Sequence, residues 1–187
     1  GARAGTNAAC YAKNTVATDL DATKVESLKK AMWAPMKRTG GFSPKWTLQV
    51  IQEIVTPYWV LLYKKESRLQ AALENIEFIR DNIVPKLVAY DNHDLRLCHE
   101  IKSIVLHMEM KLRASMFRKE SRWYHYREDY PLRDDENWLC WVKIQDKNGE
   151  MTFTKVPIPE AWRPDPQKPY AERYPQAFPN EPDVLPD

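Results

Sequence analysis

The densest run of chemically capable side chains is ESRWYHYREDYPLRDDENWL, Glu120 to Leu139. Arg122 and Arg127 are planar, five-donor groups matched to carboxylates in a bidentate fork, and Glu128, Asp129, Asp134 and Asp135 stand within a few residues of them. Such a set either pairs internally and locks a loop, or leaves a guanidinium free to hold an acid substrate. Internal pairing is the commoner use. His125, flanked by Tyr124 and Tyr126, fits a satisfied packing residue. Asp134, Asp135 and Glu136 are adjacent carboxylates of the kind that solvate or cap a turn, and a glycosidase-type acid and base pair is a poor reading of them.

Other chemistries fail on spacing. No G-x-G-x-x-G, G-x-x-x-x-G-K-[ST] or G-x-S-x-G occurs, so the usual dinucleotide, phosphate and hydrolase motifs are missing. His93, His99 and His107 with Cys98 match no zinc pattern, and Cys10, Cys98 and Cys140 are too few for a four-thiolate cluster, so no metal site is expected. An odd, scattered set of cysteines also argues against a disulfide framework and fits a reducing compartment such as the cytoplasm. A net charge of +2 offers no field for nucleic acid. No apolar run reaches the roughly 20 residues of a membrane span. Gly1 opens the chain without a methionine or a signal-type segment, which leads to the expectation of an excised or processed piece.

These residues need elements to hold them. The small-residue opening GARAGTNAACYAK reads as a close-packing helix whose Ala4, Ala8, Ala9 and Ala12 face a neighbour. Asp21 caps a second helix from Ala22 toward Trp33, striped by Val25, Leu28 and Met32. Ser43 and Pro44 start a third, with Trp46, Val50, Ile51, Ile54 and Val55 inward, and Pro57 ends it before a short helical continuation over Trp59 to Tyr63. Leu69, Leu73, Ile76, Ile79, Ile83 and Leu87 mark another long arm ending near Pro85. The clearest periodicity follows Asp91, with Leu97, Ile101, Ile104, Val105, Met108, Leu112 and Met116 on one face of a helix of roughly 28 residues, about 42 Å long. Met108, Met110 and Met116 read as core filler. Trp138 to Gln145 and Glu150 to Pro157 are β-prone runs around Asp146, Lys147, Asn148 and Gly149, a hairpin. Nine of the 14 prolines lie between Pro157 and Pro186, mixed with Trp162, Tyr170, Tyr174 and Phe178, so the tail is expected to be extended on a surface.

Leu112 to Trp138, LRASMFRKESRWYHYREDYPLRDDENW, resembles the C-terminal helical domain of the fumarate reductase, succinate dehydrogenase and L-aspartate oxidase flavoproteins. Their pattern runs R-x-E-S-R-G-x-H-x-R-E-D-x-P-x-R-D-D. Arg118, Glu120, Ser121, Arg122, His125, Arg127, Glu128, Asp129, Pro131, Arg133, Asp134 and Asp135 match it. Asp94 to Lys111 resembles the family's long helix before that motif, and GARAGTNAA resembles the helix after the last flavin-contacting segment. Trp123 and Tyr124 stand where the family has Gly and a small residue, a change that would reshape the turn or its docking surface. The adenylylsulfate reductase flavoprotein also departs from the pattern here, so the resemblance does not assign fumarate or succinate as substrate.

The resemblance implies an FAD-dependent oxidoreductase whose flavin domain and mobile capping domain precede this chain and hold most of the cofactor and the catalytic groups. It places Gly1, Arg3 and Gly5 nearest the flavin, where a helix start would favour an electron-rich carbonyl. Arg122, His125 and Arg127 fall on the substrate-cleft or docking side, and no catalytic residue is expected in this chain. Further implied partners are an iron–sulfur subunit and, through partner subunits, the periphery of a membrane. The expected fold is mainly α: an antiparallel three-helix bundle of spectrin-repeat kind with a C-terminal β-hairpin and an extended Pro-rich tail. Residues 1–44 would be the end of the flavin domain and connecting helices, 45–138 the bundle, and 139–187 the hairpin and tail. The chain would buttress the flavin domain and frame the active-site cleft. The alternative is a non-catalytic helical module that binds another subunit.

Overall fold

A computed structural model of the chain describes residues 1–174; the distal part of the expected tail, residues 175–187, lies outside the described residues. The architecture is mainly helical with one antiparallel strand pair, as its periodicities require. Helix α1 spans Ala2–Asn14 and α2 spans Ala22–Trp33, the latter capped by the Asp21 carboxylate, which accepts from Lys24 N at 3.1 Å. Neither helix contains a buried residue. The expected stripe of α2 is present in sequence but uncovered: Leu28 and Met32 are 60% and 54% exposed.

The core lies farther on, among α3 (Pro44–Val55), α5 (Glu66–Phe78) and α6 (Asn92–Phe117), each of which packs against the other two. Ser43 caps α3 and Pro44 occupies its first turn, where a missing N–H costs nothing. Ile51 and Val55 of α3, Leu69 and Ile76 of α5, and Ile101 and Leu112 of α6 are among the apolar side chains removed from water, each stabilising by about 1.5–3 kcal/mol. Trp46 departs from the expected inward face. It is 45% exposed and stacks on Phe42 at the margin, while Thr47 fills the core position beside Ile51 and donates its hydroxyl to Ser43 O.

Two expected helices end differently. Tyr58–Leu61 forms the short helix α4, but Tyr63–Lys64 is a strand, β1, because its backbone pairs in parallel with β2 (Tyr126–Arg127), a partner no local pattern announces. The arm after α5 keeps Ile79, Ile83 and Leu87 inside yet loosens into a π turn over Ile79–Ile83 and a 3₁₀ turn over Val84–Lys86. Pro85 supplies no N–H and crowds the preceding turn, which relaxes the ladder there.

The segment after α2 is tied to the end of this arm. Phe42 N donates to Lys86 O, Val88 N to Phe42 O and Ala89 N to Pro35 O, at 3.0–3.1 Å. Gly41 permits the approach: a Cβ there would lie 2.0 Å from Lys86 O.

At the far end of α6, helix α7 (Asp135–Trp138) leads into the hairpin of β3 (Cys140–Lys147) and β4 (Glu150–Pro157), turned by Asn148 and Gly149 at φ +57° and +87°. Trp138 closes α7 instead of opening the strand, and its ring meets Phe117 edge-on while Phe117 stacks on Phe153. The described part of the tail is not uniformly extended. A 3₁₀ turn covers Glu160–Trp162 and a helical turn, α8, covers Tyr170–Arg173, each preceded by a proline that presets the chain direction. Among the described residues no helix is long and apolar enough to cross a membrane.

Candidate functional site

Where α6 ends, its last carbonyls lack intrahelical donors and the chain must turn back on itself. The motif residues meet that need through two buried ion-pair knots. The first centres on Glu120, whose residue is wholly buried. One carboxylate oxygen accepts from Arg118 and from Arg122 Nε (2.9 Å), and the other from Arg122 Nη2 (3.0 Å) and the Asp134 amide (2.9 Å). Arg122 also reaches Asp135 at 2.6 Å, and Arg118 donates to the carbonyls of Trp138 and Cys140. The Glu120 carboxylate is thus saturated, and its two guanidiniums stitch the end of α6 to α7 and β3.

The second knot centres on Arg127, also fully buried. It forks onto both oxygens of Asp129 at 2.8 Å, reaches Glu66 at 2.5 Å, and sends Nη1 to Ser115 O at 2.7 Å. A guanidinium on the open carbonyls of a helix C-terminus caps it and complements its dipole. Asp129 serves the opposite pole, accepting the Glu66 amide at the start of α5 and being held by Arg127 at a pKa of about 2. One pair therefore finishes α6 and begins α5. Glu128 pairs with Arg68, and Asp134 caps α7 through Asn137 N, so the four acids beside the arginines divide among separate tasks.

Between the knots lies a two-residue loop, Trp123 and Tyr124, closed by reciprocal backbone bonds of 2.7 and 2.9 Å between Arg122 and His125. Trp123 sits at φ +52°, the left-handed region that glycine favours and that costs another residue roughly 1–2 kcal/mol. The bulky side chains leave that backbone shape in place and exit into solvent, 59% and 84% exposed. Below the loop, Lys64 Nζ donates to Tyr124 O at 3.1 Å. Burial, then the neighbouring Lys111 and Arg127, lowers its pKa to about 8. His125 donates Nε2–H to Arg118 O at 3.1 Å, and burial lowers its pKa to about 4, so it is neutral near pH 7.

Arg122, His125 and Arg127 are thus brought into one cluster and direct their polar atoms into this chain. Gly1, Arg3 and Gly5 lie elsewhere, on the exposed helix α1, whose Gly5 N–H bonds Gly1 O at its first turn. Positions a Cβ would occupy at Gly1 and Gly5 meet nothing within 4 Å. These residues form an exposed helix start with no enclosing pocket around it. Lys64 and Glu66 escaped the sequence reading, since they lie some 60 residues from their partners and in no periodic pattern. The one available hint was the run of charges just before α5.

Comparison with known proteins agrees with this geometry. A family model for the fumarate reductase flavoprotein C-terminal domain matches residues 49–171, which contain both knots. An uncharacterised FAD-dependent oxidoreductase of Methanocaldococcus jannaschii is 29% identical over 156 residues, 83% of this chain and 28% of that protein. Adenylylsulfate reductase of Archaeoglobus fulgidus superposes with a TM-score of 0.70 at 32% identity, over 80% of this chain and 27% of its own. Mycobacterium smegmatis Sdh1, solved in complex with UQ1, shares the fold at 23% identity and a TM-score of 0.67, over 86% of this chain and 28% of its own. This chain therefore spans little more than a quarter of each relative's length.

Proposed function

Because the chain belongs to the family of fumarate reductase flavoprotein C-terminal domains, we propose that it works as the C-terminal part of an FAD-dependent oxidoreductase, buttressing the flavin domain and one side of the active-site cleft. The carrying observation is the contrast in how its polar groups are used. Arg122 and Arg127 are consumed by Glu120, Asp135, Glu66 and Asp129, whereas the apolar stripe of α2 and all of α1 stand uncovered. That is the pattern of a support whose catalytic partner packs against its N-terminal helices.

On this reading residues 1–44 are the end of the flavin domain and its connecting helices. The three mutually packed helices within 45–138 form an antiparallel bundle, and the hairpin and tail follow. FAD is held mainly by the upstream domain, and when bound it supplies the redox chemistry. Gly1, Arg3 and Gly5 offer the start of α1 to its edge. Arg122, His125 and Arg127 act on the cleft indirectly, by holding the Trp123–Tyr124 loop in one shape against the flavin or capping domain. The higher identity to adenylylsulfate reductase than to Sdh1 favours that branch of the family.

The test uses the intact flavoprotein. Changing Leu28 and Met32 together to Asp should lower retained flavin and turnover while leaving the Glu120–Trp138 region folded by hydrogen exchange. Full flavin content, stability and turnover in that variant would overturn the buttress reading.

A second reading, a docking module for an iron–sulfur subunit, draws on an aromatic surface near the loop: Tyr63 lies edge-on to Tyr126 at 5.7 Å and stacks on Tyr58, and Trp123 and Tyr124 are exposed. Replacing Trp123 and Tyr124 by Gly and Ser would then abolish capture of that subunit and leave flavin retention intact.

A further inference from the structure

Away from the motif, the seam between the segment after α2 and the end of the α5 arm encloses a cavity of about 270 Å³. Its walls are apolar, with Pro35 on one side, Val84 and Leu87 on another, and the Cys98 thiol set into the wall formed by α6. Two cations border it, Arg38 and Lys102. Cys98 and Lys102 are four residues apart on α6 and so share a face, which places an ammonium one helical turn from a buried thiol.

The walls are fixed before any ligand arrives. Arg38 donates to Leu87 O, Ala89 N reaches Pro35 O, and the bonds of Phe42 to Lys86 and Val88 hold the two segments together where Gly41 lets them touch. A preorganised, mostly apolar concavity bordered by a few charged groups is the usual form of a small-molecule site. Around it two cations, Arg38 and Lys102, stand against one nearby acid, Asp94, which acts on the Cys98 thiol more strongly than either cation. Neither Arg38 nor Lys102 has an ion-pair partner among the described residues, and the nearby acid, Asp94, turns one oxygen to the Tyr90 amide. Arg38 spends one N–H on Leu87 O and retains others for an anion.

We propose that this cavity binds a short aliphatic carboxylate, its hydrocarbon stem against Pro35, Val84, Leu87 and Cys98 and its head between Arg38 and Lys102. A neutral molecule would fill the walls and leave both cations unanswered. A polar dianion would lose solvent against an apolar floor. Cys98 reports occupancy directly, since its thiol is buried and its S–H is directed to Val88 O at 3.8 Å, so a reagent reaches it through the cavity or by local opening.

The experiment uses the intact flavoprotein, N-ethylmaleimide, and mass spectrometry of the peptide that contains Cys98. The probe is sodium hexanoate, with equal sodium chloride to fix ionic strength and hexanamide as the uncharged analogue. For a ligand of this size a Kd of about 1 mM is expected, so about 4 mM hexanoate should slow Cys98 labelling about five-fold. Labelling of Cys140 in the same sample should not change. Lys102 is exposed, so K102Q should fold normally and cut the protection by half or more, and hexanamide should protect less than hexanoate. No slowing by hexanoate, equal slowing by hexanamide, or full protection in K102Q would each overturn the proposal.

Discussion

The N-terminal helices and the junction at the end of α6 are built from similar ingredients and behave in opposite ways. Both mix charged residues with large apolar ones. In the junction, Glu120 and Arg127 are removed from water entirely and Glu120, Glu128, Asp129, Asp134 and Asp135 each have a donor, whereas α1 and α2 bury nothing. The difference is partner supply. Within this chain the junction finds opposite charges, backbone carbonyls and a strand partner brought from 60 residues away, while Leu28 and Met32 of α2 stay largely uncovered. A satisfied polar cluster marks where a domain holds itself together, and an uncovered apolar helix marks where it is meant to be held.

The sharpest way to break this contrast is Arg127→Met. Removing the guanidinium strands Asp129 and Glu66 and uncaps α6, so a loss of about 3–5 kcal/mol is expected from urea denaturation. A loss below about 1 kcal/mol would place Arg127 with the weakly contributing surface pairs. Next is Gly41→Ala at the seam. Its Cβ would collide with the Lys86 carbonyl, and about 2 kcal/mol or more should be lost by the same assay.

The junction should also betray itself to acid. His125 has a folded pKa of about 4, below its ordinary 6.5, so between those values the unfolded chain binds the extra proton. Stability is then present above pH 6.5 and is lost progressively as pH falls toward 4; Asp129, held at about 2 instead of 3.8, adds a further loss between those lower values. Urea midpoints measured from pH 7 to 4 should fall in the natural chain and flatten in His125→Gln. A parallel fall in both would remove His125 as the cause.

Trp123→Gly should move the other way. Relief of a left-handed tryptophan is expected to stabilise by about 1 kcal/mol in thermal unfolding, because the loop keeps its shape while the side chain contributes little to the core. The smallest effect belongs to the other region. Leu28→Ser in this chain alone should change stability by less than about 0.5 kcal/mol, since an exposed residue is already hydrated. A larger loss would mean that α2 has a partner within the chain.

Much of the fold was legible because it is periodic. The heptad-like spacing after Asp91 produces α6 over Asn92–Phe117, and Asp21, Ser43 and the Asn148–Gly149 turn act where their local chemistry says they should. The candidate site was legible in content, since Arg122 and Arg127 stood out beside their acids. Its wiring was not. Asp135 and Asp129 were within the expected set, but Glu120 and Glu66 complete the knots, and Glu66 comes from the start of a helix that sequence spacing cannot bring near.

By itself, then, the sequence determined the helices, the hairpin, the caps and the family motif, because each depends on neighbours within a few residues along the chain. Only the tertiary structure decided that Tyr63 and Lys64 form a strand with Tyr126 and Arg127, that Trp46 stays at the margin while Thr47 enters the core, and that the motif arginines face inward. Those outcomes depend on which unpaired backbone groups and charges meet in space, and pairing across some 60 residues leaves no periodic trace in the chain that makes it.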